Sequence, residues 1–158
     1  MKGLVRMRLN KDYINKIEKR LCESTNRSFC TLTARATVGL YTLLRSFKQL
    51  RGGGSIIVPA LISPSVPSAV LYSGFNLLFC DADILDFNSS ITSIKKLIEK
   101  HKDVKGLIGV HLYGNPCNMS VLQKLSDRHD LFLIEDAAQA IGGKYKNKNI
   151  NSKVIILN

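Results

Sequence analysis

The sequence predicts an α/β fold, a three-layer sandwich in which helices cover both faces of a mainly parallel sheet. Short β-branched apolar runs alternate with segments of helical period along the chain, and this alternation is typical of parallel strands joined by helical crossovers. No internal repeat or low-complexity tract interrupts it. A chain of 158 residues is long enough to bury a core, so we expect residues 1–158 to form a single doubly wound domain.

In the first half of the chain, the strongest helical pattern lies between residues 36 and 50. Leu40, Leu44 and Phe47 recur on one face there, as in an amphipathic helix. The glycines at 52–54 end this helix and precede a β-branched run. The predicted elements of this half are helices at 12–22 and 36–50, a strand at 55–58 closed by Pro59, a helix at 65–72 and a strand at 76–80.

In the second half of the chain, two helix starts carry residues that cap helices. Ser89 or Ser90 precedes a helix whose apolar face includes Ile94, and Asn118 precedes a helix whose apolar face includes Leu122. Apolar runs separate these helices and follow the second. The predicted elements are a helix from residue 91, a strand at 105–111, a helix around 121–125, a strand at 131–134 and a strand at 154–157.

The formal net charge of +11 raises the question of nucleic-acid binding. The lysines are scattered over predicted polar helix faces and loops, and the sequence has no arginine-rich block with interleaved aromatic residues. A solvated, lysine-rich surface explains the charge better. A basic nucleic-acid-binding domain, with an affinity that falls steeply with salt, stays open as the less favoured alternative.

The cysteines and the apolar runs bear on metal binding and cellular location. Cys22, Cys30, Cys80 and Cys117 show no C-x-x-C spacing and no matched histidine pair, so we expect no zinc site. Residues 1–10 lack the apolar stretch of a secretory signal, and no run reaches the length of a membrane span. We expect a cytoplasmic protein with reduced thiols and no membrane partner.

Asp136 is the first candidate functional residue. It follows the apolar run 131–134, at the end of a predicted central strand, where open α/β sheets bind ligands. An unpaired buried carboxylate is costly, and a cationic ligand nitrogen would satisfy it. A turn-capping aspartate, or one paired with a lysine, explains the spacing as well. A receiver-domain aspartate is disfavoured because the strand at 55–58 is not followed by an acidic pair.

Two further segments are expected at the same edge of the sheet. Ala36 and Thr37 begin the long predicted helix, where free N–H groups and the helix dipole favour an anion. A threonine at a helix start is, however, commonly only a cap. His111 ends a predicted strand, and a structural, hydrogen-bonded role is the more common one for such a histidine than catalysis.

The order and spacing of these segments resemble the DegT/DnrJ/EryC1/StrS family, which comprises sugar aminotransferases of fold type I that use pyridoxal phosphate. The resemblance runs from about Tyr13 to Ile150. It is strongest in residues 109–116, G-V-H-L-Y-G-N-P, and residues 133–145, L-I-E-D-A-A-Q-A-I-G-G-K-Y. It implies that the chain is a truncated large domain of such an enzyme, with the small C-terminal domain absent.

The resemblance also implies roles for single residues. Asp136 pairs with the pyridine nitrogen of the cofactor and keeps the ring protonated, so that the ring withdraws electrons. Gln139 lies near the ring hydroxyl, and Ala36 and Thr37 match a Gly-Thr pair that binds the cofactor phosphate. The implied substrates are a keto-sugar nucleotide and an amino-acid donor, in the biosynthesis of polysaccharide or cell-envelope sugars.

Three departures from the family pattern stand out. Ala36 replaces the glycine, and its methyl group hinders close backbone approach to a phosphate. Ile62 and Ser63 stand where an aromatic residue stacks on the cofactor ring. In the family, a lysine forms the covalent anchor for the cofactor, and it lies after the strand that comes next behind the acidic motif. The nearest lysines all precede that place: Lys144, Lys146, Lys148 and Lys153.

The sequence thus favours a truncated family member that is inactive alone because the anchoring lysine is missing, and we assign no catalytic residue. The alternative is a non-catalytic remnant that keeps the cofactor pocket or the dimer surface for binding or regulation. The sheet of a truncated domain would expose an edge or an apolar face. The expected partner is therefore a second copy of the chain or a complementing C-terminal fragment.

Overall fold

The computed structural model describes residues 11–140 and the backbone of three short strands beyond them, at 144–145, 148–149 and 155–156. The chain divides into two compact units. The first ends at Leu32 and contains helix α1 (Lys11–Thr25), which has no buried residue. A carboxylate oxygen of Glu18 accepts a hydrogen bond from the Leu32 N–H at 2.9 Å. This bond ties the segment after α1 back to the helix.

The second unit, from Thr33 onward, alternates helices and strands. Its elements are α2 (Ala36–Arg51), β1 (Ser55–Pro59), α3 (Ser65–Tyr72), β2 (Asn76–Cys80), α4 (Ile91–Lys100), β3 (Val104–Val110), a 3₁₀ turn (Leu112–Gly114), α5 (Met119–His129), β4 (Phe132–Asp136), β5 (Lys144–Tyr145), β6 (Lys148–Asn149) and β7 (Ile155–Ile156). Among the described helices, none has the length and apolar character that a membrane crossing requires.

The predicted element boundaries need a few corrections. Helix α1 continues to Thr25, beyond the predicted end at residue 22. Strand β3 ends at Val110, so His111 lies just outside it. Strand β4 continues through Asp136, two residues past its predicted end at 134, because its backbone stays paired with β3. Strand β7 falls within the predicted strand at 154–157, whose first and last residues lie outside the described residues.

The main sheet is parallel, with the strand order β2-β1-β3-β4-β7, and β5 and β6 form a separate antiparallel pair. From β1 the chain moves to β2 on one side and then to β3 on the other side. The strand order therefore reverses between β1 and β3. Such a reversal opens a crevice at the carboxyl ends of the two strands, and the doubly wound sheet confirms the predicted fold class.

Side chains alternate between two cores on opposite faces of the sheet. Ile108 and Ile134 pack on one face with residues of α2 and α3, whereas Leu107 and Leu133 pack on the other face with residues of α4 and α5. The two helix layers complete the three-layer sandwich. Because strand side chains alternate with a period of two, this pattern also decides which face the residues at the strand ends occupy.

Capping residues explain where two of the helices begin. The Oγ of Ser90 accepts the Ser93 N–H at 3.4 Å at the start of α4, so Ser90 and not Ser89 is the cap. Asn118 is the cap of α5, where its Oδ1 accepts the Val121 N–H at 3.4 Å. Both caps supply an acceptor to an N–H group that the helix itself leaves unpaired.

Gly106 leaves room for an aromatic stack in the core beneath α2. Phe132 stacks on Phe47 with ring centroids 4.2 Å apart, and a Cβ atom at Gly106 would lie 2.2 Å from the Phe132 ring. We predict that Gly106→Ala lowers the free energy of unfolding by about 1–3 kcal/mol, because the ring must move out of a well-packed core. Urea denaturation of the 158-residue chain measures the change.

Two further variants separate this clash from a general loss of glycine. Phe132→Leu in the Gly106→Ala background should recover part of the lost free energy, since the smaller side chain vacates the space. Gly53→Ala should leave stability nearly unchanged, because its Cβ would meet the Lys48 side chain at 3.6 Å, an ordinary contact. Equal losses in both alanine variants would contradict the packing explanation.

Candidate functional site

A cavity of about 460 Å³ lies at the crevice where the strand order reverses. Its walls come from the start of α2, the segment after β1 and the ends of β3 and β4. Ala36, Thr37, Asp136 and Gln139, the four predicted site residues, all line it. The structure thus brings together residues that are about a hundred positions apart in the sequence.

The start of α2 gives one end of the cavity an anion-binding character. Arg35 precedes the helix in an extended conformation, and its side chain does not cap it. The Arg35 carbonyl accepts the N–H groups of Val38 and Gly39 at 3.0 and 3.2 Å. The N–H groups of Ala36 and Thr37 precede this first helical hydrogen bond, so they face out of the helix end, where the dipole adds partial positive charge.

Asp136 supplies a carboxylate to another wall of the cavity, at the end of β4. It continues the register of Ile134, so its side chain lies on the α2 and α3 face of the sheet, and it is half-buried. Its Oδ1 accepts the Ala138 N–H at 3.0 Å. Burial raises the pKa of Asp136 above its ordinary value, and the Ala138 hydrogen bond opposes this only in part. Within residues 11–140, no lysine or arginine forms an ion pair with it.

Gln139 stands at the exposed rim of the cavity, where the backbone after β3 fixes its side-chain amide. The Tyr113 N–H donates to Gln139 Oε1 at 2.6 Å. Tyr113 has a left-handed backbone (φ 53°), an uncommon conformation for a residue other than glycine. A backbone N–H can only donate, so the amide oxygen of Gln139 must face Tyr113. The Gln139 NH₂ group is then left free to donate to a ligand.

The segment after β1 contributes an aliphatic wall with two hydroxyl groups. Ile62, Ser63 and Ser65 line the cavity, and the two serine hydroxyl groups lie 3.0 Å apart. Tyr72, the first aromatic residue after them in the sequence, is 80% exposed at the end of α3. The sequence identified the departure at Ile62 and Ser63, and the structure shows that these residues occupy the cavity wall themselves.

Sequence reasoning missed Glu135, which forms a buried pair with His111. The two side chains are 0% and 1% exposed, and Glu135 Oε1 lies 2.7 Å from His111 Nε2. The Cys117 N–H donates to His111 Nδ1 at 2.9 Å. His111 therefore has the hydrogen-bonded structural role that the sequence favoured. The alternation of side chains along β4 could have revealed Glu135. It puts Glu135 on the same face as Leu133, inside the core, and on the face opposite to Asp136.

Asparagine side chains cross-link the loop before α4 and the loop before α5, and one of their partners, Leu112, lines the cavity. Asn88, which is buried, accepts the Leu112 N–H through Oδ1 and donates to the Asn115 carbonyl through Nδ2, both at 3.3 Å. Asn115 in turn donates through its Nδ2 to the Asp86 carbonyl at 3.0 Å. The loop before α4 and the loop before α5 are therefore joined by three hydrogen bonds.

The two buried cysteines, Cys80 and Cys117, have unreactive thiols. Burial raises the pKa of Cys80 to about 11 and that of Cys117 to about 12, so both stay protonated at neutral pH and act as small buried hydrophobic groups. In the described part of the chain, no group of three or more His, Cys, Asp or Glu side chains is arranged to hold a metal ion.

Comparison with known proteins assigns this architecture to a family. The model of the DegT/DnrJ/EryC1/StrS aminotransferase family matches residues 6–154. The chain belongs to this family. The match includes the start of α2, the segment after β1 and the ends of β3 and β4, so every wall of the cavity lies within the family match.

A curated relative supports this assignment, and two solved structures share the fold. GDP-perosamine synthase of Escherichia coli O157:H7 is 33% identical over 141 residues, which are 89% of this chain and 38% of the relative. Helicobacter pylori PseC, an aminotransferase involved in pseudoaminic acid biosynthesis, superposes with a TM-score of 0.82 at 24% identity, covering 90% of this chain and 39% of PseC. E. coli GDP-4-keto-6-deoxy-D-mannose-3-dehydratase with bound hydrated PLP superposes with a TM-score of 0.77 at 23% identity. The match covers 86% of this chain and 36% of the dehydratase chain.

We predict that Asp136→Asn stabilises the ligand-free chain at neutral pH. The variant keeps an oxygen acceptor for the Ala138 N–H but removes a charge that burial disfavours. Because the folded-state pKa of Asp136 lies above its ordinary value, the cost of the charge is fully present above the folded-state pKa. The cost vanishes as the pH falls below the unfolded pKa, about 3.9.

Thermal unfolding across this range tests the prediction. The Tm gain of Asp136→Asn over the unsubstituted chain should be present at pH 8 and shrink towards pH 4. Asp81→Asn, which removes the same charge from an exposed position, is the matched control and should show no such gain. A pH-independent gain, or a loss of stability at pH 8, would contradict the role of burial.

Proposed function

We propose that this chain binds pyridoxal phosphate in the cavity, with the phosphate at the start of α2 and the pyridine ring against Asp136. The observation that supports this is the pairing of complementary features within one cavity of about 460 Å³. One wall offers uncapped helix N–H groups, and another offers a half-buried carboxylate with a raised pKa. Pyridoxal phosphate carries an anion at one end and a basic ring nitrogen at the other.

The phosphate fits the start of α2 on charge and on hydrogen bonding. Helix N-termini bind phosphate through backbone N–H groups and the helix dipole, and α2 has 16 residues with no side-chain cap. The Thr37 hydroxyl adds a donor beside them. Ala36 replaces the family glycine at this position, so we propose that Thr37 would hold the phosphate more than the Ala36 N–H would.

The ring nitrogen fits Asp136 because each charge offsets the desolvation of the other. A protonated pyridine nitrogen would favour the ionised carboxylate and so reverse the effect of burial on the pKa. When bound, the cofactor supplies a ring that withdraws electrons from the reacting carbon of an amino substrate. The role of Asp136 is to hold the proton on the ring nitrogen, and that of Ile62 is to cover one side of the cavity with aliphatic surface.

Gln139 is proposed to bind the ring oxygen. Its Oε1 is engaged by the Tyr113 N–H, so the group it offers to a ligand is the side-chain NH₂. An amide donor matches a phenolate-type oxygen on the pyridine ring. We include Gln139 with Asp136, Thr37 and Ala36 as the cofactor-binding set and assign no catalytic residue among the described residues.

The reaction class we propose is amino transfer from an amino-acid donor to a keto-sugar nucleotide. This proposal follows the names of the relatives, of which GDP-perosamine synthase is one. The chain spans 38% of the length of that relative. None of its lysines from Lys144 to Lys153 matches the anchoring lysine of the family. We therefore propose that these 158 residues bind the cofactor reversibly, and that transfer needs a lysine on a second polypeptide or on further chain.

Binding experiments with two ligands test the proposed orientation. Equilibrium dialysis of the 158-residue chain should show that pyridoxal phosphate binds more tightly than pyridoxal. Asp136→Asn should weaken both ligands by roughly tenfold or more, because a charge-assisted hydrogen bond is lost. Thr37→Val should weaken pyridoxal phosphate by a few-fold and leave pyridoxal unchanged. Asp81→Asn, at an exposed site, serves as the control.

Two results would contradict the proposal. Equal affinity for pyridoxal and pyridoxal phosphate, or no binding of either, would remove the cofactor assignment. Cofactor that survives exhaustive dialysis, together with amino transfer to a keto-sugar nucleotide by the chain alone, would instead show that these residues form a complete transaminase.

A further inference from the structure

The His111 imidazole is fully engaged inside the protein, although it lies at the end of a strand that lines the cavity. Its Nδ1 accepts the Cys117 N–H at 2.9 Å, and its Nε2 lies 2.7 Å from Glu135 Oε1. Its side chain is 1% exposed. His111 thus links three segments: the end of β3, the end of β4 and the loop before α5.

These contacts determine the protonation state of the ring. A backbone N–H is only a donor, so Nδ1 must carry a lone pair and no proton. The proton of a neutral imidazole then lies on Nε2, from which it is donated to Glu135. Since both ring nitrogens have partners, neither is available as a base or as a ligand to a substrate. His111 therefore acts only through the hydrogen bonds that hold Glu135 and Cys117 in place.

Hydrogen bonds from the backbone near His111 also reach residues that line the cavity. The His111 N–H donates to the Asp136 carbonyl at 3.1 Å, and Tyr113, two residues later, donates its N–H to Gln139 Oε1 at 2.6 Å. Both proposed cofactor-binding residues on this side are therefore hydrogen-bonded to the segment that His111 anchors. Glu135 is the neighbour of Asp136 in β4 and faces the opposite side of the sheet.

We propose that His111 and Glu135 form a buried positioning pair that sets the direction of the Asp136 and Gln139 side chains in the cavity. The pair holds the end of β4 from the side of the sheet opposite to the cavity and fixes the loop at 111–117. Asp136 and Gln139 then present their polar groups without reorganisation when a ligand arrives. The inference rests on the proposed function for the ligand, but the geometry can be tested without one.

The tautomer is the first test. Two-dimensional ¹⁵N–¹H NMR of the imidazole groups in the unsubstituted chain should show His111 neutral, with its proton on Nε2, at pH 7.5. The His111 signals are identified by their absence in His111→Gln. A proton on Nδ1, or a doubly protonated ring, would overturn the proposal because the Cys117 N–H could not then donate to Nδ1. This result does not depend on how stable any variant is.

Amide hydrogen exchange is the second test and also needs no cofactor. His111→Asn keeps an acceptor near the place of Nδ1, and His111→Gln keeps a donor near the place of Nε2, so each variant breaks one of the two bonds. Both should speed exchange of the Tyr113 and Ala138 amides by roughly tenfold, with the Ile57 and Val58 amides unchanged. Unchanged exchange at Tyr113 and Ala138 in both variants would overturn the proposal.

Two matched variants sharpen this comparison. Glu135→Gln retains an oxygen acceptor for the Nε2 proton and should preserve the slow exchange, whereas Glu135→Leu should lose it. Equal loss in both would overturn the hydrogen-bond explanation. His129→Gln, a substitution of an exposed histidine near the end of α5, should change nothing at Tyr113 or Ala138.

Cofactor affinity provides a readout that a purely structural role would not move. If the pair positions Asp136, then Asp136→Asn should weaken pyridoxal phosphate binding less when His111→Asn is already present. The comparison is with the loss that Asp136→Asn causes in the unsubstituted chain. Additive losses would overturn the positioning role. If the unsubstituted chain binds no pyridoxal phosphate, the proposed function fails, and the tautomer and exchange results still decide whether the positioning pair exists.

Discussion

The site depends on the in-register parallel pairing of β3 with β4. Pairing of Val110 with Asp136 and of Gly109 with Glu135 puts two consecutive carboxyl groups at the end of a buried strand. The strand period of two then sends them to opposite faces. Asp136 enters the cavity beneath α2 and α3, and Glu135 enters the core beneath α4 and α5, where His111 meets it. A shift of one residue would exchange the two environments.

The order of the strands in the sheet brings the remaining walls of the cavity to Asp136. Because the strand order reverses between β1 and β3, α2 and the segment after β1 can close over the ends of β3 and β4. The dipole of α2 gives one wall of the cavity a partial positive charge, and Asp136 gives another wall a carboxylate. The cavity therefore presents groups of both signs before any ligand enters, which favours ligands that carry both an anionic and a cationic group.

The sequence predicted the fold class, the Asn118 cap and the meeting of Thr37 with Asp136, and it offered Ser90 as one of two possible caps. Each of these rests on periodicity, on local hydrogen-bonding chemistry or on where parallel strands end. It did not predict the Glu135–His111 pair, which depends on which face of the sheet each residue occupies. It also did not predict the left-handed backbone of Tyr113, which is stabilised by a distant partner, Gln139. The end of β4 was missed because its acidic residues do not resemble a buried strand.

The hydrogen bonds of Asn88 have a mechanical consequence for two loops at the ends of the strands. This single buried amide joins the loop before α4 to the loop before α5, and Asn115 adds a second tie. Neither loop can open far without breaking bonds that hold the other, so the two should fluctuate as one cooperative unit. Leu112 lines the cavity and donates its N–H to Asn88, so a fluctuation of this unit would displace one wall residue of the cavity.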